Sequence, residues 1–277
     1  MSFSEYYTLV TLSIGGLVLW SMVFLAIQRV QSFTPREKMT ATIVSAVLLF
    51  GYFFVALLVA GVFNFFAAEP NRFPRIPLGA TVAIIIGIMV FRTPTFHKIL
   101  NNMPITWLLA WVSIRLIGIS FVVGYHQGKL PGIFAIPLGY GDVVFGVTAP
   151  VVAYWYAKQK TGYYPLAIIW SLLSVLDILV SGTIAVFNQS SPIQQVSFNA
   201  AIQGLDACKN LGPLCDVVSI SRTVNQPNVD MVTVFPLVMN PIFGMPVLMT
   251  VEMFTLWYLF KATYLKQTAK NAKYFLA

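Results

Sequence analysis

The sequence predicts an all-α integral membrane protein, a polytopic bundle of seven transmembrane helices. Of its 277 residues, 58% are hydrophobic and only 9% are charged, and its mean hydropathy is +0.79. Several uninterrupted apolar runs have the roughly 20 residues that a helix needs to cross a bilayer. Because no stretch is left over for a soluble module, we expect a single transmembrane domain over residues 1–277.

The predicted spans follow the apolar runs in chain order. They cover residues 7–27, 41–66, 77–91, 105–125, 134–157, 163–187 and 232–260. The third span is the shortest, since Arg92 follows only about 15 apolar residues and roughly 17 to 25 are usual. The first is not a cleavable signal, because the residues before it carry Glu5 and no basic side chain.

Basic residues divide unequally between the two sides of the predicted membrane. With the N-terminus outside, the inner side receives eleven of the 17 lysines and arginines. This asymmetry follows the positive-inside rule and places the C-terminus in the cytoplasm. The net charge of +8 therefore indicates attraction to anionic lipid headgroups at the cytoplasmic face and requires no nucleic acid. The basic tail at 261–277 resembles a short interfacial helix, for which protein docking is the alternative.

A long loop at residues 188–230 contains the two cysteines of the chain, Cys208 and Cys215. The predicted topology places this loop outside, on the oxidising side where disulfides form. Six residues separate the cysteines, which is enough for a turn that brings them together, so we expect a disulfide, with two free thiols as the alternative. The apolar content of the loop favours an ordered cap over a disordered segment.

Ionisable side chains inside the predicted spans are candidates for a functional site, because a charge at the bilayer centre costs roughly 2.5 to 3.5 kcal/mol. They are Arg115, Asp142, Asp177 and Glu252. Arg115 and Asp177 lie at similar depths in the fourth and sixth spans, so we expect an ion pair, either functional or serving only to fix helix register. Glu252, in the inner third of the last span, is either neutral or a second partner of Arg115.

Two segments rich in helix breakers lie beside these charges. Residues 130–142 contain two prolines and three glycines, which predicts irregular backbone near the outer face. There Asp142, close to Tyr140, is expected either to cap the fifth helix or to form a cation or proton site. Three prolines between residues 236 and 246 predict a kinked or partly unwound helix around Asn240. Interrupted helices beside intramembrane charges are typical of transporter sites.

The sequence also excludes several classes of membrane protein. No lysine lies between Asp230 and Phe260, which excludes a retinal Schiff base in the seventh helix. His97 and His126 are predicted at opposite membrane faces and form no haem-binding pair. HExxH, GxSxG and Walker motifs do not occur, nor do metal-spaced clusters, so we expect no metal and no cofactor, and an enzyme is not favoured.

A set of short motifs lies between Trp107 and Leu259. They are Arg115-Leu-Ile-Gly118, Leu130-Pro131, Phe134-Ala135, Gly139-Tyr-Gly141-Asp142, Gly146, Ala149-Pro150, Trp170, Leu176-Asp177, and Pro236-Leu-Val with Pro241 and Pro246. Together they resemble a group of uncharacterised bacterial heptahelical membrane proteins. The resemblance implies a seven-helix fold in a bacterial cytoplasmic membrane and no particular activity. The chain departs from that group at Glu252, near which the group has a histidine.

Transport is the function that these observations favour. We expect a proton- or ion-coupled transporter of a small solute, with an internal charged site. The candidate binding and coupling residues are Arg115, Asp142, Asp177, Glu252, Asn240 and Tyr140. One alternative is a receptor that binds a ligand under the outer loop and signals through a protein partner. Another is an accessory subunit of a larger membrane complex.

Overall fold

The described part of the chain is an all-helical bundle. The computed structural model describes residues 3–67, 75–130, 132–187 and 232–275, and within these ranges there is no strand. The helices are α1 (Phe3–Arg29), α2 (Pro35–Val62), α3 (Ile76–Phe91), α4 (Pro94–Asn101), α5 (Ile105–His126), α6 (Ile136–Ala157), α7 (Tyr163–Phe187) and α8 (Met245–Phe275). The predicted loop at 188–230 and the predicted Cys208–Cys215 bridge lie outside the described residues.

Six helical segments in the described ranges are long and apolar enough to cross a membrane. They belong to α1, α2, α5, α6, α7 and the segment Asn240–Lys261, which contains the first part of α8. The third predicted span is the exception, because α3 has 16 residues and the chain bends by 82° into α4. Counting α3 and α4 as one broken span gives seven. The structure thus confirms an all-helical protein of the membrane type with six such helices.

Local chemistry sets the ends of the helices near Arg92 and Thr34. Thr93 caps α4, since its hydroxyl accepts a hydrogen bond from the Phe96 amide at 3.3 Å, and Pro94 follows at the first helical position. The residue before a proline disfavours helical backbone, which explains the bend after α3. At the start of α2, Thr34 and Glu37 form a capping box with hydrogen bonds of 2.7 and 3.2 Å.

The helices α5 and α8 form the centre of the bundle. In the most apolar 18-residue stretch of each, 56% of the residues are buried, against 11% in the corresponding stretch of α2. The α5–α6 contact is close because it is made by glycines: a Cβ on Gly118 would lie 2.6 Å from the Gly139 carbonyl oxygen, and one on Gly146 would lie 2.8 Å from the Leu116 nitrogen. Small residues allow helix backbones to approach in this way. The other central helix, α8, packs against α7 on one side and α3 on the other.

The helices α2 and α3 pack much more loosely. No residue from Pro35 to Gly51 is buried, and Ile76 is the buried residue of α3. The first half of α2 and most of α3 are therefore poorly covered by the described residues, whereas Ala56, Ala60 and Ile76 belong to a packed core cluster.

The segments rich in helix breakers adopt wide π-helical turns. Ile136–Tyr140 is π-helical and leads directly into the regular part of α6, and Asn240–Gly244 is π-helical and leads into α8. Before Asn240, the described residues from Val232 form short turns. The prediction of a partly unwound last span is confirmed, whereas residues 136–142 are helical rather than irregular. Single π-helical turns inside helices are frequent at functional sites.

Candidate functional site

Arg115 lies on an unusual stretch of α5. Residues Val112–Gly118 form a 3-10 helix in the middle of an otherwise α-helical span. Three residues make one turn of such a helix, so Val112, Arg115 and Gly118 are aligned on one side, and all three are buried. The Arg115 side chain has no solvent-exposed surface at all. The arginine is therefore directed into the bundle, where its charge requires compensation.

Two aspartates from different helices compensate this charge. Arg115 donates a hydrogen bond from Nε to Asp142 Oδ1 at 2.7 Å, and its Nη2 contacts Asp177 Oδ2. The guanidinium also lies over the Phe145 ring, 4.7 Å from the ring centroid. The predicted Arg115–Asp177 pair is confirmed. Asp142 does not cap a helix, because the preceding π-helical turn continues into α6 and its carboxylate contacts Arg115 instead.

Glu252 of α8 joins the cluster through a serine. Arg115 Nη1 donates to the backbone oxygen and hydroxyl of Ser174, at 2.9 and 2.6 Å. The Ser174 hydroxyl donates in turn to Glu252 Oε1 at 2.6 Å, and this carboxylate oxygen lies 3.7 Å from Arg115 Nη1. Glu252 is thus a further partner of Arg115, one of the two alternatives that the sequence left open. The cluster connects α5, α6, α7 and α8.

A glycine provides the space for one of the aspartates. A Cβ on Gly141 would lie 2.5 Å from Asp177 Oδ1, a distance that real Cβ atoms do not adopt. Gly141 precedes Asp142 in α6, so its lack of a side chain lets both aspartates reach the same guanidinium. In the Gly141-Asp142 pair, the glycine therefore provides space for Asp177 and the aspartate provides charge.

The cluster encloses little free volume. A cavity of about 10 Å³ lies beside Arg115 and Asp142 and is also lined by Asn240. This is about the volume that one water molecule requires. Asn240 Nδ2 and Glu252 Oε2 are buried and have no hydrogen-bond partner among the described residues. Asn240 lines this small cavity and Glu252 does not, so a single water there could pair with the Asn240 amide.

One predicted residue lies outside the cluster, and one member of the cluster was not predicted. Tyr140 is 42% exposed, and its hydroxyl is 2.9 Å from His126 Nε2, so it does not belong to the cluster. Ser174 was not identified from the sequence, although it lies one helical turn before Asp177 and its side chain is fully buried. In the described ranges no three histidine, cysteine or acidic side chains are grouped as a metal site would require.

A much larger cavity, of about 700 Å³, lies between the loosely packed helices. Its walls come from α1, α2, α3, α4 and α8, and they are mostly apolar. On α8, Val247, Thr250 and Phe254 line this cavity. Its volume is within the roughly 300 to 1,000 Å³ typical of small-molecule sites. No feature of the sequence indicated this cavity.

Long apolar helices around a buried cluster of one arginine and three carboxylates are the features of a polytopic helical membrane protein. The chain belongs to the family described as Domain of unknown function (DUF8737), whose sequence model matches residues 74–260. The matched range includes Arg115 and its three carboxylate partners. It therefore supports the resemblance to an uncharacterised family. No curated protein matches the chain, and no solved structure does.

Proposed function

We propose that the protein is a proton- or ion-coupled transporter of a small solute. In this proposal the Arg115 cluster is the coupling site, and the 700 Å³ cavity holds the solute. The observation that carries the proposal is the position of α8 between the two. Val247, Thr250 and Phe254 line the cavity. Glu252 is rotated by roughly half a turn from them on the same helix and binds Ser174.

The charge balance of the cluster supports coupling. One guanidinium is surrounded by three carboxylates, so full neutrality requires two further positive charges, either protons or a bound cation. Each uncompensated charge at such depth costs roughly 2.5 to 3.5 kcal/mol, which is enough to shift a conformational equilibrium substantially. Uptake or release of one cation at Glu252 would therefore change the preferred position of the helix that carries it.

The backbone around α8 supports movement of this helix. It follows the π-helical turn Asn240–Gly244, and Pro241 and Pro246 each lack a backbone donor. On its other side, α8 touches α3 closely, since a Cβ on Gly87 would lie 2.9 Å from Thr250 Oγ1. A shift of α8 would therefore move a second wall of the solute cavity. Interrupted helices beside an intramembrane charge are a recurring arrangement in transporters.

We propose that the end of the bundle where α1, α3 and α6 finish faces the cytoplasm. We call it the basic end. In the described ranges its basic residues include Arg29, Arg36, Lys38, Arg92, Lys98, Lys158, Lys160 and Lys261, and Glu37 is the acidic residue there. The positive-inside rule supports this orientation, with the N-terminus outside. The resemblance to bacterial proteins supports a bacterial cytoplasmic membrane.

The test is proton flux into liposomes that contain the purified protein and a trapped pH dye. With an extract of small bacterial metabolites added outside, we expect wild-type protein to carry a solute-dependent proton flux. Glu252→Gln should abolish it, because the amide keeps the volume of the acid but cannot exchange a proton. The matched control is Glu5→Gln, the same change at the opposite end of the bundle, which should leave the flux intact. Equal flux from wild type and Glu252→Gln would remove Glu252 from the coupling site.

A sensor is the second candidate, favoured by the length of α8. This helix has 31 residues, about 46 Å at 1.5 Å per residue, and continues 14 residues past Lys261. A ligand in the cavity could bias α8, and its extension would present the change to a protein partner. The flux experiment separates the candidates, since a sensor gives no solute-dependent flux from wild-type protein with any fraction of the extract.

A further inference from the structure

The 700 Å³ cavity is bordered by α2 and α3, whose exposed side chains include many large hydrophobic ones, as expected of a surface that contacts lipid. On the α2 wall, Val44 and Leu48 are 48% and 40% exposed. The lining extends along α2 from Thr34 to Tyr52, about 27 Å at 1.5 Å per residue, which is most of the roughly 30 Å hydrocarbon core. An apolar space of this size loses contacts on every wall if it is empty. A hydrocarbon chain from the membrane has the shape and chemistry to fill it.

The two ends of the cavity differ in polarity. At the basic end its lining includes Arg36, Thr40 and Thr95, none of which has a hydrogen-bond or ion-pair partner among the described residues. Glu37 also lies there, but its carboxylate accepts from the amide and hydroxyl of Thr34 in the capping box. The opposite end is closed by Tyr52, whose hydroxyl donates to the Ile242 carbonyl oxygen. Among the described residues, unpaired polar groups are thus concentrated at one end, and a further unpaired donor, the buried Trp20 Nε1, lines the α1 wall.

Further positive charge surrounds this open polar end. Lys98 of α4 lies over the ring of Phe33, which lines the cavity, with 5.6 Å from Nζ to the ring centroid. Lys38 donates from Nζ to the Gln28 backbone oxygen at 2.8 Å, which holds a second ammonium group near the start of α2. An anionic group placed beside Arg36 would interact favourably with all three cations. A neutral or zwitterionic group would gain less from them.

We infer that the cavity binds an anionic phospholipid of the bilayer. Its phosphate lies at Arg36, Thr40 and Thr95, and one acyl chain lies between α2 and α3. The inference goes beyond the proposed function, because the lipid occupies the cavity along α2 beside any small solute that the protein moves. Binding itself requires no transport, so the two can be tested separately. Hydrocarbon supplies the packing that the first half of α2 lacks, and the phosphate supplies an anion for Arg36, which has no ion-pair partner among the described residues.

Fluorescence quenching of Trp20, which lines the cavity, tests this inference. The full chain is placed in phosphatidylcholine nanodiscs with increasing fractions of phosphatidylglycerol brominated on its acyl chains, and Trp20→Phe supplies the background. We expect Trp20 quenching to saturate at a lower fraction of brominated phosphatidylglycerol than of brominated phosphatidylcholine. Arg36→Gln should raise the half-saturating fraction about fivefold, the effect of one basic residue near anionic lipid.

Matched variants distinguish this site from the general attraction of a basic surface. Arg92→Gln removes the same charge at the basic end outside the cavity and should leave the curve unchanged. Ala83→Phe fills the cavity and should reduce the maximal quenching. Its neighbour Val82, which is 52% exposed and does not line the cavity, gives the control Val82→Phe.

The outcomes separate the inference from the proposed function. Identical curves for the two lipids, or for wild type and Arg36→Gln, would overturn the anionic site. Quenching that Ala83→Phe leaves intact would place the acyl chain elsewhere. Displacement of the lipid by an equimolar fatty acid would identify a fatty acid as the occupant instead. Protection of Trp20 by a second copy of the chain would identify that copy as the occupant. Selective binding without proton flux would keep the lipid site and remove transport.

Discussion

Replacement of Arg115 by leucine is the sharpest test of the buried cluster. The change removes the positive charge that faces three carboxylates. Two of these belong to Asp142 and Glu252, whose side chains are only 6% and 1% exposed, so water cannot solvate them. Breaking a buried pair by removing one partner costs about 3 to 5 kcal/mol. We therefore expect Arg115→Leu to lower the free energy of unfolding by this amount.

A double-mutant cycle shows whether this loss comes from the carboxylates that Arg115→Leu leaves without a counter-charge. Asp142→Asn keeps the shape of the side chain and removes one of the carboxylates that Arg115→Leu leaves uncompensated. The double variant should therefore be more stable than the sum of the two single losses predicts, with a coupling energy of about 0.5 to 3 kcal/mol. The assay is unfolding by sodium dodecyl sulfate in mixed micelles, followed by far-ultraviolet circular dichroism.

The control cycle pairs Arg115→Leu with Glu37→Gln, whose carboxylate binds Thr34 at the start of α2 and is not part of the cluster. Distant sites are additive within about 0.3 to 0.5 kcal/mol, so no coupling is expected there. If the Arg115–Asp142 cycle is also additive within that range, the two residues do not compensate each other and the electrostatic account of the cluster is wrong.

Two further predictions concern packing and the cysteines. Gly141→Ala should destabilise the protein by about 1 to 3 kcal/mol in the same unfolding assay, because its Cβ would lie 2.5 Å from Asp177 Oδ1. Gly16→Ala, where a Cβ meets nothing within 4 Å, should be neutral or stabilising, and equal losses at both positions would refute the steric argument. Cys208 and Cys215 should react with a membrane-impermeant maleimide only after reduction; immediate labelling would exclude the bridge.

Residue depth is the part of the site that the sequence could predict. Helix rise is constant, so counting residues from the ends of two apolar runs placed Arg115 and Asp177 at similar depths. Asp142 could not be placed in this way. Its neighbours suggested the start of a helix, whereas the π-helical turn Ile136–Tyr140 continues the helix past it and turns its carboxylate toward Arg115. A wide turn of this kind depends on tertiary packing.

The 700 Å³ cavity could not be predicted for a different reason. In a water-soluble protein, the alternation of apolar and polar residues shows which face of a helix is buried. In a membrane, a side chain that faces lipid is as apolar as one that faces the core. Leu48 and Leu49 of α2, for example, look alike in the sequence. Only the arrangement of the helices shows that a cavity lies between α2, α3 and α8.

The sparse burial of α2 has a practical meaning for work with the purified protein. A helix with so few protein contacts depends for its position on whatever hydrocarbon lies against it. Extensive washing in detergent removes native lipid, and it should therefore change the position of α2 before it affects the glycine-packed contact between α5 and α6. A preparation with full helix content could still have lost the geometry of the proposed phospholipid site in the 700 Å³ cavity. Mild extraction with added lipid is the condition under which binding to this protein should be measured.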